Sequence, residues 1–563
     1  MKFLDARRLT GPSLMFDVPA AILDVACSRE DADRLEPLWR ANVERACSAL
    51  RWDSRQYARK DLAGGVSLAF TAPIDSLYAA SEINELAFAA SVAELEGAEE
   101  PPYVEAIDAI NEEHRNEIND DLMSLQARAA HEGVTFLWDD DNASLGLGRT
   151  AKTWPARELP DSASVDWQSF EDIPVGLVTG TNGKTTTVRL VKHILAGSGL
   201  NVGMSSTDWI AVNDRILDRG DWSGPGGARA ILRQNDVDVA ILESARGGLL
   251  RRGLGVDKAD AALITNIAED HLGDFGSQTI DELLDIKWIV SRAVRERGKL
   301  ILNADDKRLV AKAANYPGER VWFSLDPDNA TIRKHLSGDG LAFIVLQGKL
   351  QKIKGGTSES ICLDKDIPIS LHGAARHNVA NALAAAALSW CLGATIAEIR
   401  HGLTTMSQDD NPGRCNVYEI NGRKVLVDFA HNPHAMLALF DMAQALPAKR
   451  RVLCFGQAGD RPDELIRAMT RDAWAIGLDR VIVSELADYH RGREHGDVFR
   501  VIRDELIRIG AKEKQILHFE KETESFDSAF KWANDGDLVI MLALAGAAEI
   551  EAKLKKLGGY ARR

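Results

Sequence analysis

The sequence has no excess of positive charge. Its 68 lysines and arginines face 84 aspartates and glutamates, a formal charge of −16. That excludes nucleic-acid binding through bulk charge, which needs a basic surface. Cysteine is scarce: Cys27, Cys47, Cys362, Cys391, Cys415 and Cys454 are dispersed, with no C-x-x-C. The pattern excludes a disulfide framework or a zinc finger and reads as reduced, cytoplasmic thiols. No uncharged apolar run approaches the roughly 18 residues that cross a bilayer, so no membrane partner is expected. The opening MKFLDARRLTGPSLMF lacks the apolar centre of a secretory signal. Short-period repeats and low-complexity tracts are also missing, which sets aside a solenoid.

What is present is a globular composition, 45% hydrophobic and 27% charged over 563 residues. At roughly 100–200 residues per domain this suggests about three domains. The expected division is 1–165, 166–410 and 411–563. The first block is read as an α+β domain with helical stretches at 81–96 and 103–131, a loop at EEPPY, and no phosphate loop. The second alternates strands and helices. Apolar runs at 173–180, 237–244, 260–267 and 299–306 predict buried parallel strands, and 185–200 and 279–298 predict helices. An Ala-rich helix over 378–391 ends before Gly393, a C-cap glycine. The third block has four more apolar runs, at 423–430, 449–457, 478–485 and 537–544, and reads as a second, Rossmann-like α/β domain.

The sharpest motif is Gly180-Thr181-Asn182-Gly183-Lys184-Thr185-Thr186, after a predicted strand and at the start of a predicted helix. In that context backbone N–H groups and the helix N-terminus face a polyphosphate. Lys184 neutralises charge, and the Thr185 hydroxyl can ligate Mg²⁺. Val178 stands where the common P-loop has a further glycine, so this is the shorter G-x-x-G-K-[ST] form. Glu243 and His271 both follow buried strands of the expected ATPase sheet, and ligands at strand C-terminal ends suit Mg²⁺, which prefers oxygen. ATP and Mg²⁺ are therefore the expected cofactors.

GTNGKTT, Glu243, TNIAEDHL with His271, IKW with Lys287, NADD at 303–306, RHNVANALAA from Arg376, NPGR at 411–414 and VDFAHNP at 427–433 occur in an order that resembles the Mur ligase superfamily, from about 173 to the C-terminus. SGPGGAR, LESARGGLLRRGLG, NIAEDHLG and GDRPDE bring the resemblance nearest to the Mur-like half of the cyanophycin synthetases. LTGPS at 9–13 and HEGVTFLWDDDNASLGLG at 131–148 are similar to the N-terminal part of that group. The stretch between 148 and 173 is too short for its ATP-grasp body.

The resemblance implies a P-loop ATPase domain followed by a Rossmann-like domain, and an ATP-dependent ligase that forms amide bonds by way of an acyl phosphate. It places Lys184, Glu243, His271 and Lys287 at the chemistry, with Thr185, Glu243 and His271 on magnesium. The lysine at the position of Lys287 is carbamylated in many members. Asn378 would lie near adenine, Arg414 on phosphate, and Asp428 with His431 in the ribose loop. Arg246, Arg251 and Arg252, in a run read as a mobile basic loop, would steer an acidic acceptor. Asp460 and Arg461 would meet the incoming amino acid.

The residues alone leave plainer readings open. These are a helix cap for Asn378, a snorkelling surface lysine for Lys287, a linker salt bridge for Arg414, a capped turn for 428–432, and surface charge for Asp460 and Arg461. The expected partners are an acidic carboxylate or peptide and an amino acid, with a separate ATP-grasp enzyme and homo-oligomer formation also expected. Two other functions fit the same motifs: a non-catalytic nucleotide-binding subunit of such an ATP-grasp ligase, and a muramoyl-peptide or folylpolyglutamate-type ligase.

Overall fold

The computed structural model describes residues 1–52, 55–270, 278–558 and 560–561. Near the N-terminus an antiparallel sheet takes Lys2–Leu9, Ala20–Ala26, Gly65–Thr71 and Tyr57–Leu62 in that spatial order. Helices Arg29–Ala49 and Leu77–Glu96 bury Leu35, Trp39, Val43 and Ile83 in one core with Leu23, Leu68 and Phe70 of the sheet. The helical stretch expected over 103–131 is divided into Tyr103–Glu117 and Asp120–Glu132. Asn119 turns the chain there, and its side chain accepts the Leu122 N–H at 3.0 Å, capping the second helix. Residues 148–173 hold only the short strand Lys152–Pro155 and three 3₁₀ turns.

The second sheet has eleven strands. Its parallel centre runs Val202–Ser205, Val239–Glu243, Val175–Thr179, Ala259–Ile264, Val294–Asn303, Glu319–Ser324 and Leu341–Leu346. Antiparallel strands flank it at both edges. Successive side chains of a strand point to opposite faces. Accordingly Val178, Ile241 and Leu263 pack on one face with helices Lys184–Gly197 and Arg376–Cys391. Leu177, Leu242 and Ile264 pack on the other with Pro225–Leu232, Arg246–Arg252 and Ile280–Trp288. Burial on both faces is why these strands read as continuous apolar runs.

The helix expected over 279–298 ends ten residues early. After Trp288 the chain tightens into a 3₁₀ turn, Ile289–Ala293, and then becomes the strand Val294–Asn303, in which Val294 pairs with Ala259. The charged residues at 295–297 gave a helical appearance to what is a strand start. The Ala-rich helix ends as expected, with Gly393 at φ 101° just beyond it.

The third region forms a seven-stranded sheet. Ile516–Phe519, Arg480–Ser484, Arg451–Phe455, Leu538–Leu542 and Arg423–Asp428 are parallel, and Asn416–Ile420 pairs antiparallel at one side. The four apolar runs of this region are four of those strands. Val294–Asn303 and its neighbours thus give one doubly covered sheet, and this region gives a second, Rossmann-like one.

The N-terminal region docks on the larger sheet's layer of helices. Thr10 N–H donates to Arg252 O at 2.8 Å, and Leu254 N–H donates to Pro12 O at 2.8 Å. Arg7, 7% exposed, donates to Asp24 at 2.5 Å and to Leu250 O at 3.2 Å, while Ser67 donates to the other Asp24 oxygen. Arg7→Ala leaves Asp24 buried without its cation. Breaking such a pair costs about 3–5 kcal/mol. Thermal unfolding followed through the tryptophans should therefore begin at a clearly lower temperature in Arg7→Ala. An unshifted transition would show that Arg7, with its bonds to Asp24 and to Leu250 O, does not contribute to stability.

Candidate active site

The loop at 180–183 leaves the central strand Val175–Thr179 and enters the helix Lys184–Gly197. Two of its residues must be glycine. Gly180 has φ 142°, and a Cβ there would lie 1.9 Å from Thr265 Oγ1. Gly183 has φ 86°, and a Cβ there would lie 2.2 Å from Asn381 Oδ1. Gly183 is the helix N-cap and offers no side chain, so the first turn of the helix opens into a cleft of about 1250 Å³. An uncapped helix start is an anion site by its free N–H groups and its dipole.

The loop is fastened from the neighbouring strand Ala259–Ile264. Asn182 N–H donates to Asn266 Oδ1 at 3.0 Å, and Asn182 O accepts from Thr265 Oγ1 at 2.6 Å and Asn266 Nδ2 at 3.0 Å. Thr181 is bound to Asn266 and Ala268. Lys184 Nζ donates to Thr181 O at 3.0 Å. Thr185 Oγ1 donates to Glu243 Oε2 at 3.0 Å and meets Thr207 Oγ1 at 3.0 Å.

Glu243, at the end of Val239–Glu243, is 2% exposed. Burial pushes its carboxyl above the usual carboxylate range, against the pull of Lys184 and the Thr185 hydroxyl. Its Oε1 is buried and, among the described residues, has no hydrogen-bond partner. A buried carboxylate oxygen left bare beside a threonine hydroxyl and a phosphate loop fits a hard divalent cation. Thr185 and Glu243 would hold it. Among the described residues no group of three or more His, Cys, Asp or Glu side chains gathers for a metal, so phosphate and water oxygens would complete the shell. His271 lies outside the described residues.

Lys287 is 4% exposed and donates to Gly180 O at 3.1 Å, directly behind the loop. It is not a surface lysine. Burial, with Lys184 nearby, pushes its ammonium well below the usual range, which favours a neutral amine.

The other wall of the cleft comes from the C-terminal sheet. Asp428 ends Arg423–Asp428 and accepts from Cys415 N–H and Ala430 N–H, both at 2.7 Å. His431 Nδ1 lies 3.0 Å from Phe429 O, and its Nε2 lies 3.7 Å from Asp270. Asn432 accepts from Ala435 N–H at 2.9 Å and caps the helix Pro433–Ala445, so the capped turn is real. Arg414 stacks 4.7 Å over Phe429 and reaches Asp208 at 3.2 Å. Arg461 lies 3.9 Å from Asp270, and Asp460 is bound by Arg491.

Asn378 is not a cap. It lies inside Arg376–Cys391, donates to Ile369 O at 2.8 Å and accepts from Asn381 at 3.2 Å. The cleft is lined by Thr181, Asn182, Gly183, Lys184, Thr185, Thr186, Glu243, Arg246, Lys287, Asn378, Arg414, Asp428, His431, Asp460 and Arg461.

The basic run 245–255 is not a mobile loop. Residues Arg246–Arg252 form a helix, with Leu249 and Leu250 buried. A seven-residue helix turns its side chains to different sides, so Arg246 lines the cleft while Arg251 and Arg252 do not. Arg252 instead donates to Arg8 O at 3.3 Å.

Four residues that sequence reasoning missed bear on the site: Thr207, Asp208 and Asn381 line the cleft, and Arg189 bonds to Asp208 from behind. Arg189 is 3% exposed, and burial lowers its pKa to about 10. It binds Asp208 at 2.6 Å, Asn411 at 3.1 Å and Pro412 O at 3.1 Å, joining the two α/β regions. The signal was an arginine between Val188 and Leu190 in an apolar stretch. The other three carry no local signal.

Sequence comparison agrees with this geometry. Residues 178–389 match the Mur ligase middle domain, and 413–544 match the Mur ligase, glutamate ligase domain. The chain belongs to the Mur ligase family. It is 36% identical over 394 residues to cyanophycin synthetase of Trichormus variabilis, covering 69% of this chain but 43% of that protein. The chain thus spans less than half the length of the cyanophycin synthetases it matches. UDP-N-acetylmuramoyl-L-alanyl-D-glutamate–2,6-diaminopimelate ligase 1 of Clostridium acetobutylicum is 25% identical over 376 residues, 65% of this chain and 71% of that one. A solved pseudomurein peptide ligase type C from Methanothermus fervidus superposes with a TM-score of 0.49 at 20% identity, over 68% of this chain and 79% of that chain. No helix among the described residues is long and apolar enough to cross a membrane.

Glu243→Gln keeps the shape of the side chain and removes a buried charge, a desolvation cost of several kcal/mol. The metal-free protein should melt at a higher temperature than the parent, and Mg²⁺ with ATP should stabilise the variant far less. Equal stabilisation of both proteins by Mg²⁺–ATP would remove Glu243 from the cation site.

Proposed function

We propose that this protein is an ATP-dependent ligase that joins an acidic carboxylate to the amine of an amino acid. The observation that carries the reading is the convergence on one cleft of an uncapped helix start, Lys184 and the Thr185–Glu243 pair from one sheet with Arg414 and Asp428 from the other. A carboxylate is a poor electrophile. In this reading its oxygen attacks the γ-phosphorus of ATP, an O–P bond forms, the bond to the β-phosphate oxygen breaks, and ADP leaves. The amine then attacks the acyl carbon, phosphate leaves with the C–O bond's electrons, and the amine proton passes to solvent.

Lys184 and the helix N–H groups would stabilise the charge that spreads over the transferring phosphoryl. A divalent cation on Thr185 and Glu243, and on His271 in the family resemblance, would add neutralising charge. Arg414 supplies a planar fork for phosphate, Asp428 and His431 a ribose contact, and Asn378 a wall beside the base. Lys287, whose burial disfavours the charged ammonium, is suited to carbamylation: its nitrogen bonds to the carbon of CO₂, a proton leaves, and a carboxylate results behind the loop. Arg246 would meet the acidic acceptor, and Asp460 and Arg461 the amino acid. Two α/β regions facing one cleft suit a reaction in which water must be kept from the acyl phosphate.

Lys184→Ala should keep the fold, since Lys184 faces the cleft, and lose ADP release mainly in kcat. Removal of one such charge-stabilising group costs about 10²–10³-fold. Turnover near that of the parent would refute the phosphate-loop assignment.

The cyanophycin-like variant of this reading covers one bond type, because residues 148–173 hold only a short strand and turns where a second activating unit would need a domain-sized core. Incubation with ATP, aspartate and arginine, without primer or partner, should give no alternating polymer by mass spectrometry. With an aspartate-rich primer peptide a single amino-acid addition per side chain is expected. Growth of an Asp/Arg chain from the free amino acids would overturn the one-bond reading.

A further inference from the structure

Among the described residues, the tip of the phosphate loop meets the C-terminal region at Asn182. The Asn182 backbone is fully committed to its own sheet: its N–H goes to Asn266, and its carbonyl accepts from Thr265 and Asn266. Its side chain points the other way, across 250 residues of sequence, to Asn432. The two amides bond reciprocally. Asn182 Nδ2 donates to Asn432 Oδ1 at 3.2 Å, and Asn432 Nδ2 donates to Asn182 Oδ1 at 2.9 Å. His434 Nδ1 lies 3.0 Å from Asn182 Nδ2. Asn432 is 0% exposed, and its Oδ1 also caps the helix Pro433–Ala445.

The first two turns of the loop helix are tied at the linker. Asn411 Nδ2 donates to Thr186 at 3.4 Å, and Arg189 binds Asn411 and Pro412. The linker joints at Thr186 and Arg189 lie next to the chain crossover, where the two regions are covalently connected in any arrangement. The Asn182–Asn432 pair joins residues 250 positions apart, away from the covalent linker, so it is made only while the two regions face each other closely.

We propose that Asn182 and Asn432 form an interdomain latch. Asn182 is a positioning residue: it transmits the placement of the C-terminal region to the phosphate loop, so the loop and the C-terminal residues Arg414 and Asp428 bear on the nucleotide together only when the amide pair is made. The inference rests on the ligase reading for its effect on turnover. Its structural part, an amide pair that joins the loop tip to the C-terminal region alongside the Arg414–Asp208, His431–Asp270 and Arg461–Asp270 contacts, stands apart from catalysis.

The test uses the full chain with Asn432→Asp, Asn182→Ala and the double variant. Asn432→Asp keeps an oxygen to cap Ala435 but removes the donor to Asn182 and faces the Asn182 carbonyl oxygen with a carboxylate. Two neutral hydrogen bonds are worth about tenfold in the closed population. Small-angle scattering with the non-hydrolysable analogue AMP-PNP and Mg²⁺ should show the parent contracting and each variant remaining extended. In kinetics, kcat of each single variant should fall about tenfold with the KM for ATP nearly unchanged, and the double variant should be no worse than Asn182→Ala, since both lose one shared contact. Parent-like contraction in Asn432→Asp, or losses that multiply in the double variant, would overturn the latch. A parent that contracts but makes no product would refute the ligase reading and leave the latch supported by scattering alone.

Discussion

A helix that begins on Gly183 cannot cap itself, and much of the cleft follows from that constraint. The glycine is required by its φ of 86° and by Asn381 Oδ1, which occupies the space of a side chain. The first N–H groups of Lys184–Gly197 are thus left to the cleft. A loop with such an open end has to be fixed from outside, and Thr265 and Asn266 do so from the end of the next strand. Because both strands are parallel and adjacent, the same carboxyl edge also carries Glu243 on the other side. The groups that could bind phosphate and cation are neighbours because the strand order places them so.

The second constraint is the burial of ionisable groups beside the loop. Glu243 and Lys287 sit on either side of the loop, each nearly inaccessible, and burial disfavours the charged form of each. Neither forms an ion pair with the other. Among the described residues one oxygen of the acid has no hydrogen-bond partner and the amine bonds to the Gly180 carbonyl, so a ligand that pairs either group offsets part of its desolvation. Arg189 differs. It too is buried, but its guanidinium is shared among Asp208, Asn411 and Pro412 O, so its desolvation is offset by hydrogen bonds and it acts as a joint.

Much of this was legible in the sequence. The strands Val175–Thr179, Val239–Glu243 and Ala259–Ile264 were visible because burial on both faces makes them continuously apolar, and the loop was visible because glycines, lysine and hydroxyls are consecutive. Local signals misled where tertiary contacts decide. Residues 294–298 carry the charges of an exposed helix but pair as a strand start with Ala259. The run 245–255 has the glycine content of a loop, yet Leu249 and Leu250 find a core and fold it into a helix. Asn378 has the chemistry of a cap, but Arg376 already begins the helix. Contacts between residues 250 positions apart, such as Asn182 with Asn432, leave no local trace, because an asparagine in a glycine-rich loop and another before a proline each have a sufficient explanation nearby.

The helix Arg246–Arg252 shows how the N-terminal region bears on the cleft without lining it. At about 1.5 Å per residue it is only about 10 Å long, and its two ends serve different neighbours. Arg246 faces the cleft, while Leu250 O, Arg252 O and the Arg252 side chain bond to Arg7, Thr10 and Arg8 O of the N-terminal strand and the loop after it. So short a helix has little stability of its own. Its position is set by Leu249 and Leu250 against the sheet and by the N-terminal strand against its last turn. A glycine-rich segment that would otherwise move is thereby held, and the arginine at its start is given a fixed direction. The N-terminal region's bearing on the cleft is then one of placement: it holds from behind the element on which Arg246 stands.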